Sequence, residues 1–169
     1  VDNTTPSKGV DVTGRLNWER RYKHMRMHTA QHLISWVVLN EYDASTSGNQ
    51  IYADESRIDF EPVSFDDSDE SFIQDKVNGL IEEDLDVTKT MMKRATVESR
   101  VKTGRTNLDL IPDSIDPLRV VIIGDEDICP CGGTHVDSLG EIGGIDIVGR
   151  ENKGAETERL RFELQRGKD

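Results

Sequence analysis

The chain has 169 residues, 32% of them charged and 34% hydrophobic, and its formal net charge is −12 at pH 7. That length allows a domain with a hydrophobic core. The longest apolar run, LISWVVL, is too short to span a membrane, and the polar opening VDNTTPSKGV differs from a secretory signal, so we expect a cytoplasmic protein. The negative charge disfavours ordinary phosphate-driven nucleic-acid binding and suits a halophilic protein, whose charged surface maintains solubility in a salty cytoplasm.

The first predicted element is a helix that follows a polar lead-in. Residues 1–17 are expected to be extended or disordered. Residues 19–40 carry apolar side chains at helical spacing, including Leu33, Ile34 and Val37, which predicts a helix with one buried face. Five basic residues precede the histidines of this helix: Arg15, Arg20, Arg21, Lys23 and Arg26.

Two strands and a second helix are predicted next. A loop is expected to end at Ser47 and Gly48, and the alternation of apolar and polar side chains in residues 49–63 predicts two short strands. Ser68 is the predicted N-cap of the second helix, because acidic residues occupy its first turn and apolar side chains recur at helical spacing up to Ile81.

The second half of the chain contains mainly predicted strands. Residues 87–93 are expected to form a strand and residues 97–102 a short helical turn. The apolar run between Pro117 and Gly124 predicts a buried strand, and residues 143–164 predict two strands around a glycine-containing turn. We therefore expect an α+β fold in which helices pack on one side of a largely antiparallel sheet.

The motif HTAQH places His28 and His32 four residues apart. Residues at this spacing lie on the same face of a helix, so both imidazoles can bind one metal ion. A zinc protease would need a glutamate directly after the first histidine as its general base, but Thr29 occupies that position. The motif indicates a metal site without protease chemistry; two histidines on a partly exposed helix face are the alternative.

The segment CPCGGTHV contains the only cysteines of the chain, Cys129 and Cys131, followed by His135. Thiolate and imidazole are preferred zinc ligands and can converge from a tight loop at Cys-x3-His spacing. A disulfide between two cysteines this close would remove little chain entropy. Together with HTAQH the segment predicts a zinc site; a buried, structurally neutral Cys131 is the alternative.

The two motifs together resemble the editing domain of alanyl-tRNA synthetase and its free-standing relatives, the alanyl-tRNA editing proteins. HTAQHL is followed about a hundred residues later by CGGTHV, with RIDF between them resembling the family's Arg-Phe-Asp-Phe segment. The stretch WERRYKHMRMHTAQHL resembles the run by which medium-length members leave a preceding β-barrel. The similarity covers about residues 11–166. Threonyl-tRNA synthetases carry a related domain, but Gly133 and Thr134 favour the alanyl branch.

The resemblance implies zinc-dependent hydrolysis, in trans, of the ester that joins serine or glycine to the alanine tRNA. A synthetic pocket built for a methyl group rejects these two amino acids weakly, so a second site must remove them. ATP binding belongs to the full-length synthetase relatives. A threonyl-type editing domain and a non-catalytic tRNA-binding module with structural zinc are the alternative functions.

The resemblance also implies roles for particular residues. Thr46 is expected to contact the serine substrate, and Gly132, Gly133 and Thr134 to bind the terminal adenosine. Cys129 is expected to be a neighbour of the site. Four residues are expected to hold the zinc: His28, His32, Cys131 and His135.

Two questions stay open at the level of sequence. Zinc could activate water or anchor the substrate's amino group, and four protein ligands would close a tetrahedral site that hydrolytic zinc keeps open. The chain also contains no Gly-Gly-Gln motif, which medium-length members carry in their barrel. We expect residues 1–17 to be the last fragment of such a barrel and residues 18–169 to be the zinc-containing editing domain.

Overall fold

The computed structural model describes residues 5–125 and 127–165. These residues contain three α-helices, two short 3-10 helices and seven strands. Residues 1–4 of the predicted lead-in, and residue 126 and residues 166–169 of the predicted editing domain, lie outside the described residues. The helices are α1 (Trp18–Tyr42), α2 (Asp67–Glu82) and α3 (Arg94–Arg100). The strands are β1 (Ser45–Gln50), β2 (Glu55–Glu61), β3 (Val87–Met92), β4 (Leu118–Ile123), β5 (Asp127–Pro130), β6 (Ile145–Gly154) and β7 (Thr157–Leu164).

The strands form two antiparallel sheets. One has the order β1-β2-β7-β6 and the other the order β3-β4-β5. The helices α1 and α2 contact each other, α1 also contacts β1, β2 and β7, and α2 packs on β6. The predicted α+β class is confirmed, with the strands divided between two sheets. Among the helices of the described ranges, none has the length and apolar character needed to cross a bilayer.

The larger sheet separates apolar and charged side chains on its two faces. In β2 and β7 every second residue is buried, because successive side chains of a strand point to opposite faces. Ile58 pairs with Leu160, and both belong to the main core beneath α1 and α2. On the opposite face Asp59 accepts hydrogen bonds from Arg159 at 2.6 and 3.0 Å. The outer face is therefore lined by paired charges.

Helix α1 has an exposed first part and a buried second part. Asn17 caps its N-terminus by accepting a hydrogen bond from the Arg20 amide at 3.0 Å, which satisfies one of the free amides of the first turn. Most residues from Met27 to Leu39 are buried. The helix thus contributes to the core with its second part, while its first part extends along the surface.

Several predicted boundaries are wrong. The N-cap of α2 is Asp66, not Ser68. The Asp66 carboxylate accepts hydrogen bonds from the amides of Ser68 and Asp69 at 2.8 and 3.1 Å, and the Asp69 carboxylate accepts one from the Asp66 amide. Residues 47 and 48 lie within β1 rather than at the end of a loop. The short helix α3 begins and ends earlier than predicted, and β5 was not predicted.

Candidate metal centre

Helix α1 and the loop after β5 bring four potential metal ligands together. One ligand atom from each residue lies within 4.8 Å of the other three. The members are His28, His32, Cys131 and His135. The loop is fixed to the neighbouring strand because the Cys131 amide donates to the Arg119 carbonyl at 3.1 Å. These are the four residues that the resemblance implied as zinc ligands.

Two sulfur–nitrogen distances within this cluster match those of a tetrahedral zinc site. The Cys131 sulfur lies 3.6 Å from Nε2 of His28 and 3.4 Å from Nε2 of His135. Zinc bonds of about 2.0–2.3 Å in a tetrahedron separate neighbouring ligands by roughly 3.3–3.7 Å. The donor set and its spacing therefore suit zinc.

The second ring nitrogen of two histidines is held by an oxygen acceptor. Nδ1 of His135 lies 3.1 Å from the hydroxyl of Thr29, and Nδ1 of His28 lies 3.3 Å from the carbonyl of Thr134. Since the Thr29 hydroxyl already donates to the Met25 carbonyl at 3.0 Å, it accepts the proton of His135. This arrangement keeps the proton on Nδ1 and leaves Nε2 free to bind metal.

The three histidines are neutral at pH 7. Desolvation lowers the pKa of His135 to about 3 and lowers the pKa of His28. Desolvation, followed by the positive charge of Arg105, lowers the pKa of His32 well below 6.5. Because a metal binds the neutral imidazole, protons do not compete for these nitrogens at neutral pH.

Gly133 lies directly against the ring of His28. A Cβ atom at this position would come within 2.2 Å of Cε1 and 2.6 Å of Nδ1 of that histidine, so only glycine fits. The Gly133 amide donates to the sulfur of Cys131 at 3.3 Å, which favours the thiolate. Gly133 thus contributes to the centre in two ways: it leaves room for the ring of His28, and its amide binds the sulfur of Cys131.

Cys129 lies outside the four-residue cluster. Its side chain is buried, and desolvation raises the pKa of its thiol to about 11, so it remains protonated at neutral pH. Arg105 is buried nearby and binds both carboxylate oxygens of Asp127, at 2.7 and 2.8 Å. Arg105 also donates to the carbonyl of His32 at 3.2 Å. A buried ion pair thus supports the turn of α1 that carries His32.

A row of polar side chains continues along α1 beyond the histidines. Gln31 and Thr46 both donate to the hydroxyl of Ser35, at 2.8 and 2.7 Å. Ser35 lies three residues after His32 and seven after His28, so these side chains share one helix face. Thr46, on β1, is half-buried and joins this row from the sheet.

The remaining predicted residues lie at the surface of the loop. Gly132 and Thr134 are exposed, and Gly133 is half-buried. The contributing residues that the sequence reasoning missed include Thr29, Ser35 and Arg105. The first two carried a signal, since their spacing from the histidines places them on or beside the same helix face. Arg105 carried none, because it lies in a loop 73 residues away from His32 in the chain.

A family model matches part of the second half of the chain. The model is described as the threonyl and alanyl tRNA synthetase second additional domain, and it matches residues 118–161. That range contains three strands and the loop that supplies Cys131 and His135.

Curated relatives match nearly the whole chain. Alanyl-tRNA editing proteins AlaX-M of Methanosarcina barkeri and Methanosarcina mazei are 37% identical over 168 and 156 residues, covering 97% and 92% of this chain. Alanyl-tRNA editing protein AlaX-L of Pyrococcus horikoshii is 35% identical over 158 residues, covering 93% of this chain and 38% of the relative. The chain spans 69% and 62% of the length of the two AlaX-M proteins. This similarity shows that the chain belongs to the family of alanyl-tRNA editing proteins.

Proposed function

We propose that the chain is a zinc-dependent aminoacyl-tRNA deacylase that acts in trans on alanine tRNA carrying serine or glycine. The observation that carries the proposal is the cluster of three neutral histidines and one cysteine beside a row of hydroxyl and amide groups. Membership of the alanyl-tRNA editing proteins supports the substrate class.

The four ligands would hold the zinc, and the surrounding residues would hold the ligands. Zinc bound there would supply a Lewis acid for the carbonyl of the ester or for water, provided that it accepts a fifth ligand beside the four protein donors. Thr29 keeps the proton of His135 on Nδ1, and the Thr134 carbonyl does the same for His28. The Gly133 amide stabilises the negative charge of the Cys131 sulfur. These contacts would prepare the electron pairs of His28, His135 and Cys131 for the ion.

The polar row would recognise the hydroxyl of a serine substrate. Thr46 and Gln31 already converge on Ser35, so a serine hydroxyl entering there can exchange hydrogen bonds with groups that are in place. Alanine offers no such hydroxyl and would leave those groups unpaired, which disfavours its binding. Gly132 and Thr134 are exposed, and with Gly133 they would contact the terminal adenosine.

Hydrolysis of charged tRNA by metal-free and zinc-loaded protein tests the proposal. We expect zinc-dependent release of serine and glycine from alanine tRNA, with alanine released far more slowly. Hydrolysis of serine from threonine tRNA alone would identify a threonyl-type editing domain. Binding without hydrolysis of any substrate would identify a non-catalytic module and overturn the proposal.

Thr46→Val tests the proposed serine contact. Loss of one hydrogen bond to a substrate hydroxyl costs about 0.5–1.5 kcal/mol, which corresponds to roughly a 2–13-fold lower kcat/KM. We expect that loss for seryl-tRNA and an unchanged rate for glycyl-tRNA. Thr88→Val, the same change at an exposed position on β3, is the control. An equal loss for both substrates would contradict a specific contact between Thr46 and the serine hydroxyl.

A further inference from the structure

The positive charge of this acidic protein is concentrated in one stretch of the chain. Residues 12–40 contain five basic side chains and one acidic side chain, a net charge of +4, which leaves −16 for the remaining residues. The single acid is Glu19. This contrast identifies the first part of α1 as the region to which an anionic ligand would be attracted.

These five cations are also free of carboxylate partners among the residues that the structure describes. Within residues 5–125 and 127–165, every salt bridge uses a lysine or arginine from Arg57 onward. None uses a basic residue between positions 15 and 26. Elsewhere the described residues pair much of their positive charge internally, while these five cations have no carboxylate within salt-bridge distance.

Three side chains of this stretch lie on the face of α1 that leads to the metal centre. Arg20, Arg21 and His24, the arginine face, line a cavity of about 280 Å³ together with two residues that precede the helix. His24 and Arg20 lie four and eight residues before His28, or about 6 and 12 Å along the helix axis. The arginine face therefore continues directly from the first metal ligand toward the N-terminus of α1.

The other two cations of the helix point elsewhere. Lys23 lies five residues before His28, roughly 140° around the helix, and lines a different cavity with Asp54 and Glu163. Arg26 donates two hydrogen bonds to the carbonyl of Ile142, at 3.2 and 2.5 Å. Arg20 and Arg21 therefore lie on the side of α1 that leads to the centre, whereas Lys23 and Arg26 lie on another side.

We propose that the arginine face binds the phosphates of the single-stranded 3′ end of tRNA and directs the terminal ester to the metal centre. The inference rests on the proposed function, because it takes the centre to be the place where the ester is cut. Single-stranded nucleic acids are bound by cationic grooves that follow the backbone. A short basic track beside the site reconciles RNA binding with a chain of net charge −12, since only the terminal nucleotides need to meet positive charge.

The test compares two double variants with the same change of charge. Arg20→Ala/Arg21→Ala removes the arginines of the proposed face. Lys23→Ala/Arg100→Ala removes an exposed cation on another side of α1 and the exposed last residue of α3. Fluorescence anisotropy measures, from low to high salt, the binding of a short single-stranded RNA that ends in CCA and carries no amino acid. Zinc content and melting temperature are measured for each variant to establish that the fold and the centre are intact.

We expect the arginine variant to bind the RNA about 10–100-fold more weakly at low salt. Its plot of log K against log salt should be flatter by about 1.4, since each lost phosphate contact on a single strand removes about 0.7 from the slope. The control variant should stay within about threefold of the unchanged protein. Equal weakening in both variants would mean that only net charge matters, and equal binding of a blunt RNA duplex would remove the single-strand assignment. Either result overturns the inference.

The same variants distinguish failure of the inference from failure of the proposed function. If the unchanged protein hydrolyses seryl-tRNA but the arginine variant keeps its KM, the inference fails and the proposed function stands. If the unchanged protein binds the RNA through the arginine face but hydrolyses no charged tRNA, the proposed function fails and the surface remains an RNA-binding one.

Discussion

Replacing Thr29 with valine removes one hydroxyl from the metal centre while keeping the shape of the side chain. That hydroxyl donates to the carbonyl of Met25 and accepts from Nδ1 of His135 and from the amide of Val136, the last at 3.3 Å. The side chain is fully buried, so water does not replace the lost oxygen. One atom thus connects the helix with two histidines to the loop with the third histidine and the cysteine.

The magnitude follows from the groups that lose their acceptor. Valine leaves two buried N–H groups, of His135 and Val136, without their acceptor, and each such group costs about 1–3 kcal/mol. The Met25 carbonyl lies within the helix and loses only an additional donor. We therefore expect Thr29→Val to lower the free energy of unfolding of the metal-free protein by about 2–6 kcal/mol. Loss of a residue that orients a metal ligand lowers metal affinity by about 10–100-fold.

Urea unfolding of the metal-free protein and zinc competition with a chelating dye measure these two effects. ¹⁵N spectra of the histidine rings report which nitrogen of His135 carries the proton, and we expect its preference for Nδ1–H to weaken in the variant. Thr29→Ser keeps the hydroxyl and should retain most of the zinc affinity, and Thr88→Val controls for the substitution itself. A Thr29→Val protein with zinc affinity within twofold and an unchanged ring tautomer would refute the assigned role.

Four further results are expected. Elemental analysis should find one zinc per chain in Cys129→Ala and much less in Cys131→Ala, because only the latter removes a member of the cluster; the opposite ranking would reject the choice of cysteine. The free energy of unfolding of the metal-free protein should fall as the pH drops below 6.5, because unfolded histidines bind protons there whereas burial holds the pKa of folded His135 at about 3. Each such histidine lowers the free energy of unfolding by up to about 1.4 kcal/mol per pH unit. Equal urea midpoints at pH 7.5 and 5.5 would contradict this prediction. Asp127→Ala should lower the free energy of unfolding by about 3–5 kcal/mol, because it leaves Arg105 buried and unpaired. The double variant Arg105→Met/Asp127→Leu should recover much of that loss. A cost below about 1 kcal/mol for Asp127→Ala would show that the ion pair contributes little to stability. The melting temperature should rise between 0.1 and 2 M potassium chloride if repulsion among the carboxylates opposes folding; equal values at both concentrations would assign the acidic surface another role.

The elements that were predictable from the sequence are those whose pattern is local and long. The apolar periodicity of α1 and the uninterrupted apolar run of β4 each specify one structure over many residues. The spacing of His28 and His32 was informative for the same reason, since a helix fixes which residues share a face. These features needed no knowledge of the tertiary structure.

The features that were missed depend on contacts between distant segments or on competition between neighbours. Strand β5 has four residues and pairs with β4, so its own sequence carries little signal. Asp66 and Ser68 are both good helix caps, and the choice depends on the reciprocal bonds with Asp69. Arg105 reaches the metal-binding turn from a loop, and only the fold places its guanidinium beside His32.

Helix α1 links the candidate metal centre to the candidate RNA surface without an intervening loop. Its buried part is anchored in the core, and His28 lies where the helix passes from its exposed first turns to the buried ones. The distance and direction from Arg20 to His28 are set by two turns of helix, so they do not depend on the ordering of a flexible segment. A substrate held by its phosphates on the first turns would therefore meet the ligands at a fixed distance, and little additional ordering would be needed on binding. That geometry would let a few arginines bind RNA on an acidic protein, since they have no carboxylate partner among the described residues.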